Sequence, residues 1–346
     1  MNRNITLFFL TNIITGTVIA ISSNNWFLIW IGLEINTISI LPILLSNNNR
    51  RNIEASIKYF IIQALAAAII LNSALINIWN NGSWLINTPI NNISSITIMT
   101  ALFFKISIVP FHFWFPEVVN GINLTNGLIL TTWQKIAPTI ITINIINELN
   151  NNIIVTCTIL SIIIGSWNGI NQTQTRKIMA FSSINHMGWI ILISIFNQNI
   201  SLTMLLVYII INSTIFTNLI NNNTMNISNS NKNNVLNPWN ASTLSISILS
   251  LGGLPPLTGF INKLLSINTL IINNNILLTI PLIIGSLISL FFYLRITFNT
   301  NMTNFPQNSI ILINIRNNNN NNMNSVLNII TILGIPLIPI IINIIN

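Results

Sequence analysis

Apolar residues in this chain come in long runs, not in the alternating or one-faced patterns of a water-soluble fold. Runs near the length that crosses a hydrocarbon layer as a helix lie at roughly 5–21, 26–45, 55–79, 94–115, 122–146, 153–170, 178–196, 200–220, 241–272, 276–298 and 325–345. About eleven transmembrane helices are predicted on this basis. Many of the runs contain Asn, Ser or Thr, which predicts hydrogen bonds between neighbouring helices. Asn-rich links such as Asn47–Asn49, Asn221–Asn223 and Asn317–Asn322 separate them. Links of that composition cannot form a core, so no extramembrane domain is expected. Trp26, Trp79, Trp84 and Trp239 sit at or near run ends and read as interfacial anchors. Arg3 and the run behind it have the outline of a signal peptide, but further spans follow at once and predict an uncleaved first helix.

Two runs are interrupted. From Ile98 to Val119 the chain carries Lys105, Pro110, His112 and the pair Pro116-Glu117. A charge at mid-membrane costs roughly 3 kcal/mol on insertion scales, and Pro removes a backbone hydrogen bond. Such a segment survives where the lysine and the freed carbonyls face other helices or internal water. The second interruption lies in Ser245–Ile272, where Gly252-Gly253 and Pro255-Pro256 break the helix and Lys263 follows. By span count the breaks fall in the fourth and the ninth. Ten spans then divide into two fives, repeat one at about 5–146 and repeat two at about 153–298, each with its fourth helix broken and carrying a lysine. Because five is odd, the second repeat is inverted in the membrane. A helix at about 325–345 is added to a single transmembrane domain over 1–346. The expected fold is an all-α polytopic membrane protein.

Basic residues sort by side. Arg3, Arg50, Arg51, Arg176, Lys177, Lys232 and Arg316 fall in loops on one side, whereas the loops opposite carry only Glu148. This is the positive-inside pattern. It places the N-terminus on the cytoplasmic or matrix side and, after an odd number of crossings, the C-terminus opposite.

Composition agrees: 51% of the residues are hydrophobic and 5% charged, with a mean hydropathy of +0.71, whereas soluble domains carry about 25% charged residues. The net charge of +8 comes without any Lys/Arg run longer than a dipeptide, which argues against nucleic-acid binding. Cys157 is the single cysteine, too few for a disulfide, a Cys-based zinc site or a cysteine-held iron–sulfur cluster, and it reads as a small buried hydrophobe. No phosphate-cradling glycine loop, metal-ligand cluster or Ser/His/Asp arrangement is evident. With four acids in all, hydrolytic or redox chemistry on this chain is not expected.

The intramembrane charges form a short list: Glu34 in the second span, Lys105 in the fourth, Lys135 in the fifth and Lys263 in the ninth, accompanied by His112 and His186. A buried Glu34–Lys105 pair is a tunable proton switch, because removing the acid's charge loosens the lysine's proton. The histidines can take and give protons near neutrality. Each residue has a plainer role beside the functional one. The lysines can snorkel to headgroups, Glu34 can be a structural pair partner, His112 can cap freed carbonyls, and His186 can be a satisfied polar residue between helices. Arg295, Lys58 and Glu54, near span ends, read as surface anchors.

Five motifs carry a resemblance: W-I-G-L-E-I-N at Trp30–Asn36, E-A-S-I-K-Y-F at Glu54–Phe60, K-I-S-I-V-P-F-H-F-W-F-P-E-V at Lys105–Val118, W-Q-K-I-A-P at Trp133–Pro138 and G-G-L-P-P-L-T-G-F-I-N-K at Gly252–Lys263. Together they resemble the subunit 2 family of mitochondrial NADH:ubiquinone oxidoreductase (respiratory complex I), one of the antiporter-like subunits. The likeness covers most of the chain and weakens after about residue 296. It implies a core subunit of the membrane arm in the mitochondrial inner membrane, with its N-terminus in the matrix and its C-terminus in the intermembrane space. Glu34 would be the acid of the ion pair, Lys105 its partner, Lys135 the connecting amine and Lys263 the lysine of the second half-channel, with His112 and His186 in the polar axis between them. The expected partners are other membrane-arm subunits, including neighbouring antiporter-like and small membrane subunits, together with lipids, protons and internal water. NADH, FMN, iron–sulfur clusters and ubiquinone would belong to the complex and not to this chain. The competing readings are a free-standing cation/proton antiporter and a structural spacer whose buried charges only specify packing.

Overall fold

The computed structural model describes residues 3–46, 49–86, 88–222, 226, 238–301 and 322–332. Among these residues the chain is helical, apart from two isolated bridges, Asn25 with Leu85 and Gln174 with Asn226. The helices are α1 (Arg3–Ser22), α2 (Trp26–Leu44), α3 (Arg50–Asn81), α4 (Asn92–Ile106), α5 (Trp114–Gly121), α6 (Leu124–Thr131), α7 (Trp133–Ile145), α8 (Asn151–Ile170), α9 (Thr175–Ser194), α10 (Gln198–Asn222), α11 (Pro238–Gly252), α12 (Thr258–Ile272), α13 (Ile276–Asn301) and α14 (Asn322–Ile332). Each predicted run from 5–21 to 276–298 falls on one of these helices or on a broken pair. Among the described residues six helices, α1, α2, α3, α8, α10 and α13, are long and apolar enough to cross a bilayer. Of the run predicted at 325–345, residues 325–332 are in α14 and 333–345 lie outside the described residues, as do Lys232 and Arg316.

The chain falls into two compact units, Met1–Ser161 and Ile162–Asn346, with the boundary inside α8. In the first, α1 lies along α2. It buries only Ile13, Gly16, Thr17 and Ala20, a helical stripe of mostly small residues. The approach is close: a Cβ on Gly32 would stand 2.7 Å from the Ala20 nitrogen and 2.8 Å from the Gly16 carbonyl oxygen. Small residues let backbones touch where lipid supplies no hydrophobic drive. The remaining α1 face, with Leu7, Phe8 and Val18, is exposed. In the second unit α9 is central. Every residue from Ile178 to Ser194 is buried except His186, which is half-buried.

Polar residues inside the helices behave differently from the expectation. Most Ser and Thr hydroxyls donate to the carbonyl three residues back on their own helix, as Thr17 does to Ile14 and Ser182 to Met179, both at 2.8 Å. A short hydroxyl finds that local acceptor first. The longer amides make the crossings: Asn126 donates to Ile43 O at 2.9 Å and Asn262 to Met204 O at 3.3 Å. Trp26 is a second correction. It is 1% exposed, because the stretch around Trp84 folds over the start of α2 and Trp84 O accepts from the Trp26 N–H at 3.0 Å. Trp79, at 90% exposure, and Trp84 remain at the surface, while the side chain of Trp239 lies outside the described residues.

Candidate functional site

Both predicted interruptions are present, and each is built around a lysine. In the first unit α4 stops at Ile106, with Ser107 in the left-handed conformation (φ 69°) donating its N–H to Phe103 O at 2.9 Å. Non-helical turns through Phe113 follow, including a cis Val109–Pro110 bond, and α5 starts at Trp114. Pro110 has no N–H with which to continue the ladder. Lys105 therefore occupies the last turn of α4, where unsatisfied carbonyls give the helix its negative end. The residue is buried, and its Nζ has no hydrogen-bond partner among the described residues.

The fifth predicted run is also divided, at Thr132, into α6 and α7. The Thr132 hydroxyl donates to Leu128 O at 2.7 Å, closing the end of α6. Lys135 sits in the first turn of α7, buried, with its ammonium 4.1 Å from the centroid of the Phe115 ring and 3.5 Å from Ser107 Oγ. The two amines line one small cavity, with about 20 Å³ of room, together with Asn36, Tyr59, Trp114 and Gln134. Polar groups in such a space can hold ordered water. Gln134 is fixed at both ends of its amide: Nε2 donates to Asn36 Oδ1 at 2.9 Å, and Oε1 accepts from the Tyr59 hydroxyl at 3.4 Å.

Glu34 stands outside this cavity lining. Its Oε2 is buried and has no hydrogen-bond partner, and no direct ion pair joins it to Lys105 among the described residues. The predicted pair is thus not a direct contact among the described residues. His112 is buried inside the break, its ring 4.2 Å from that of Phe113, and does not line the cavity.

The second unit repeats the theme with other atoms. Helix α11 ends at Gly252, Gly253 takes a left-handed φ of 72°, a cis Pro255–Pro256 bond follows, and α12 starts at Thr258. Lys263 reaches back from α12 and donates to Gly252 O at 2.5 Å, at the C-terminal end of α11. Gly253 is needed for space as well as for its φ: a Cβ there would lie 2.6 Å from Lys263 Cδ and 2.8 Å from its Cε. Lys263 shares a small cavity, with about 20 Å³ of room, with His186, Asn185, Tyr208, Asn262 and Trp189. Asn212 Nδ2 donates to the Tyr208 hydroxyl at 3.2 Å, and the His186 ring lies 5.6 Å from that of Tyr208.

Sequence reasoning missed Tyr59, Gln134, Tyr208 and Asn262. A usable signal existed, because all three tyrosines of the chain, Tyr59, Tyr208 and Tyr293, lie in apolar runs, where a phenol needs a partner. The anchor reading also fails for Arg295. Its Nη1 donates to Ile170 O at 2.6 Å and its Nη2 to Gln172 O at 2.5 Å, so it caps the C-terminus of α8. Lys58 and Glu54 are exposed as expected and pair with each other, but Lys58 also bridges to Glu117 of α5 at 2.9 Å. Among the described residues no group of three His, Cys, Asp or Glu is placed to hold a metal ion, and Cys157 is a half-buried free thiol.

Helices broken around buried amines characterise a class of antiporter-like membrane proteins, and the chain belongs to it: the family described as NADH:quinone oxidoreductase/Mrp antiporter, transmembrane, matches residues 23–289. Within that class it is a member of the NADH-ubiquinone oxidoreductase chain 2 family, since the C-terminal model of NADH dehydrogenase subunit 2 matches residues 290–342. NADH-ubiquinone oxidoreductase chain 2 of Pisaster ochraceus is 47% identical over 319 residues, covering 92% of this chain and 90% of the relative. Chain 2 of Strongylocentrotus purpuratus is 44% identical over 317 residues, with 92% and 90% covered. The fold is shared with a chain of respiratory complex I from Thermus thermophilus (TM-score 0.82, 20% identity, 97% of this chain and 78% of that one). It is shared also with a chain of the Mrp complex from a Dietzia species (TM-score 0.76, 17% identity, 84% and 59% covered).

Proposed function

We propose that this chain is a core subunit of the membrane arm of mitochondrial NADH:ubiquinone oxidoreductase and carries protons across the inner membrane on its buried amines. The observation that supports this reading most is the placement of Lys105 and Lys263. Each lies at the C-terminal end of a half-helix, beside a cavity lined in part by polar side chains. A charge in that position is stabilised by carbonyl dipoles and not by bulk water, so its protonation can respond to charges nearby.

In this reading the energy of electron transfer from NADH to ubiquinone, released elsewhere in the complex, alters the field at Glu34. Lys105 responds, and protons redistribute over Lys105, Lys135 and Lys263, with His186 beside Lys263 and His112 at the first break. Coupling of this kind is reciprocal and does not require a large backbone movement. NADH, FMN, iron–sulfur clusters and ubiquinone belong to other subunits. The finer topology belongs to the same proposal: eleven spans, two inverted five-helix repeats at about 5–146 and 153–298, the N-terminus in the matrix, and the C-terminus in the intermembrane space. Neighbouring antiporter-like and small membrane subunits, with lipids, cover the exposed apolar faces.

The test is Lys105→Met in the assembled complex, reconstituted in sealed vesicles. Proton uptake per electron should fall while the complex still assembles. Unchanged stoichiometry would refute the assignment, and a pure assembly defect would favour the structural-spacer reading.

A further inference from the structure

Lys135 differs from the other two buried amines in where its own helix puts it. Lys105 lies at the C-terminal end of α4 and Lys263 reaches the C-terminal end of α11, where free carbonyls favour a cation. Lys135 stands in the first turn of α7, the positive end of that helix. Its charge is met at the break between α4 and α5. The ammonium lies 4.1 Å from the centroid of the Phe115 ring, within the range in which a ring face attracts a cation. It also donates to Ser107 Oγ at 3.5 Å, and the Ser107 hydroxyl donates in turn to Ile106 O, at the carbonyl end of α4. Ser107 directly follows α4, Phe115 is in the first turn of α5, and both side chains are buried. An amine from a third helix thus occupies the gap between two half-helices. Phe115 and Lys135 line the cavity that also holds Lys105.

We propose that Phe115 and Ser107 are positioning residues for Lys135, a seat that keeps the charged amine in the break and lets the neutral amine turn into the cavity shared with Lys105. The ring is the selective part. Its face carries negative potential and attracts an ammonium, whereas a neutral amine offers no net charge for it to hold. In a buried site water does not screen that attraction, so it counts for more than at a surface. The hydroxyl oxygen accepts from the amine in either state and supplies direction, not selection. Charge therefore decides where the amine rests. The flexible four-carbon stem of lysine has the rotatable bonds for the movement. The cavity, with about 20 Å³ of room, admits a water beside the turned amine. Neither seat residue changes its own protonation.

The seat rests on the proton-carrying function proposed above, and the variants are chosen to keep the two failures apart. Phe115→Leu keeps an apolar side chain and removes the ring face, whereas Phe115→Tyr keeps the face. In the assembled complex in sealed vesicles, Phe115→Leu should lower proton uptake per electron roughly fivefold, and Phe115→Tyr should retain most of it. Equal losses in the two variants overturn the proposal. A double-mutant cycle then reads whether the ring acts through the amine. The stability lost in Phe115→Leu, measured on heating the purified complex, should be smaller once Lys135→Met is present. An unchanged loss would mean that Phe115 only fills space. If Phe115→Leu does not assemble, Ser107→Gly decides, because glycine accepts the φ of 69° and loses only the hydroxyl. Uptake should then fall about twofold, the low end for one hydrogen bond, and unchanged uptake refutes the seat. If Lys105→Met stops pumping and Phe115→Leu does not, the seat alone falls. If neither affects pumping, the functional reading falls with it.

Discussion

The two helix breaks place an amine at equivalent electrostatic positions by different routes. Lys105 reaches the C-terminal end of α4 by belonging to its last turn. Lys263 reaches the end of α11 from the following half-helix, bridging the break to the carbonyl of Gly252. In linear sequence the two repeats look mismatched, with one lysine before its break and the other after. In space the rule is the same: a cation beside the free carbonyls of a half-helix. What differs is freedom. Lys105 is unpartnered and faces a cavity, whereas Lys263 is latched to a carbonyl and packed on a glycine. The first site suits a group that senses Glu34, and the second suits a group held to a fixed distance.

Breaking the latch should produce the largest effect. Gly253→Val forces a branched side chain into a left-handed φ, costing about 1–2 kcal/mol, and displaces the stem of Lys263 from its seat. The amount of assembled complex on native gels should drop severalfold. Gly82 is the control. It shares the positive φ, but nothing lies within 4 Å of a Cβ placed there, so Gly82→Ala should cost only about 1 kcal/mol and leave assembly near normal. Equal losses in the two variants would show that φ, and not the Lys263 seat, constrains Gly253.

Exchange of lysine for arginine separates the two amines next. Arginine carries a longer, planar fork that matches neither a single carbonyl nor a glycine-sized slot. At Lys105 there is no carbonyl latch to lose. Lys263→Arg should reduce proton uptake to about a tenth, whereas Lys105→Arg should keep about half of it. Comparable retention in both would erase the distinction between a latched and an open site.

Much of this was legible in the sequence for a simple reason: in a chain with so few charges, every buried one is conspicuous. Lys105, Lys135 and Lys263 stand out against apolar runs, and Pro110 and Gly253 mark where helices must stop. The division of the fifth span at Thr132 was not legible, because no Pro or Gly stands at that point to mark it. Nor was the back-reach of Lys263 across its break, since contact between residues eleven apart follows from the turn geometry and not from helical spacing. The buried tyrosines and amides escaped because uncharged polar residues are common in all these runs. Arg295 was misread for a related reason: proximity to a span end in sequence says nothing about which carbonyls lie within reach.

Arg295 supplies a comparison of middle size, a cation at a helix C-terminus that lines neither amine cavity. It caps α8 through Ile170 O and Gln172 O. Arg295→Met should destabilise the subunit by roughly 1.5–3 kcal/mol, the range for hydrogen bonds to a charged group, read as an earlier loss of structure on heating the purified complex. Proton uptake per electron should be unaffected in the material that remains assembled. A change in stoichiometry would place Arg295 with the working amines and weaken the claim that a polar cavity distinguishes them.

The smallest effect belongs to the exposed cluster at the first break. Lys58 joins Glu54 on its own helix to Glu117 on α5, the half-helix beyond Pro110, with side chains 40–65% exposed. It is the solvent-side counterpart of the Lys263 latch, since both tie a half-helix to a neighbouring element. Water and salt screen the exposed pair, so Lys58→Ala should change stability little, and the difference should vanish at high ionic strength. Stability measured at low and high salt decides it. A large loss that persists at high salt would mean that the first break depends on this clamp as the second depends on Lys263, and the contrast between an open and a latched site would no longer hold.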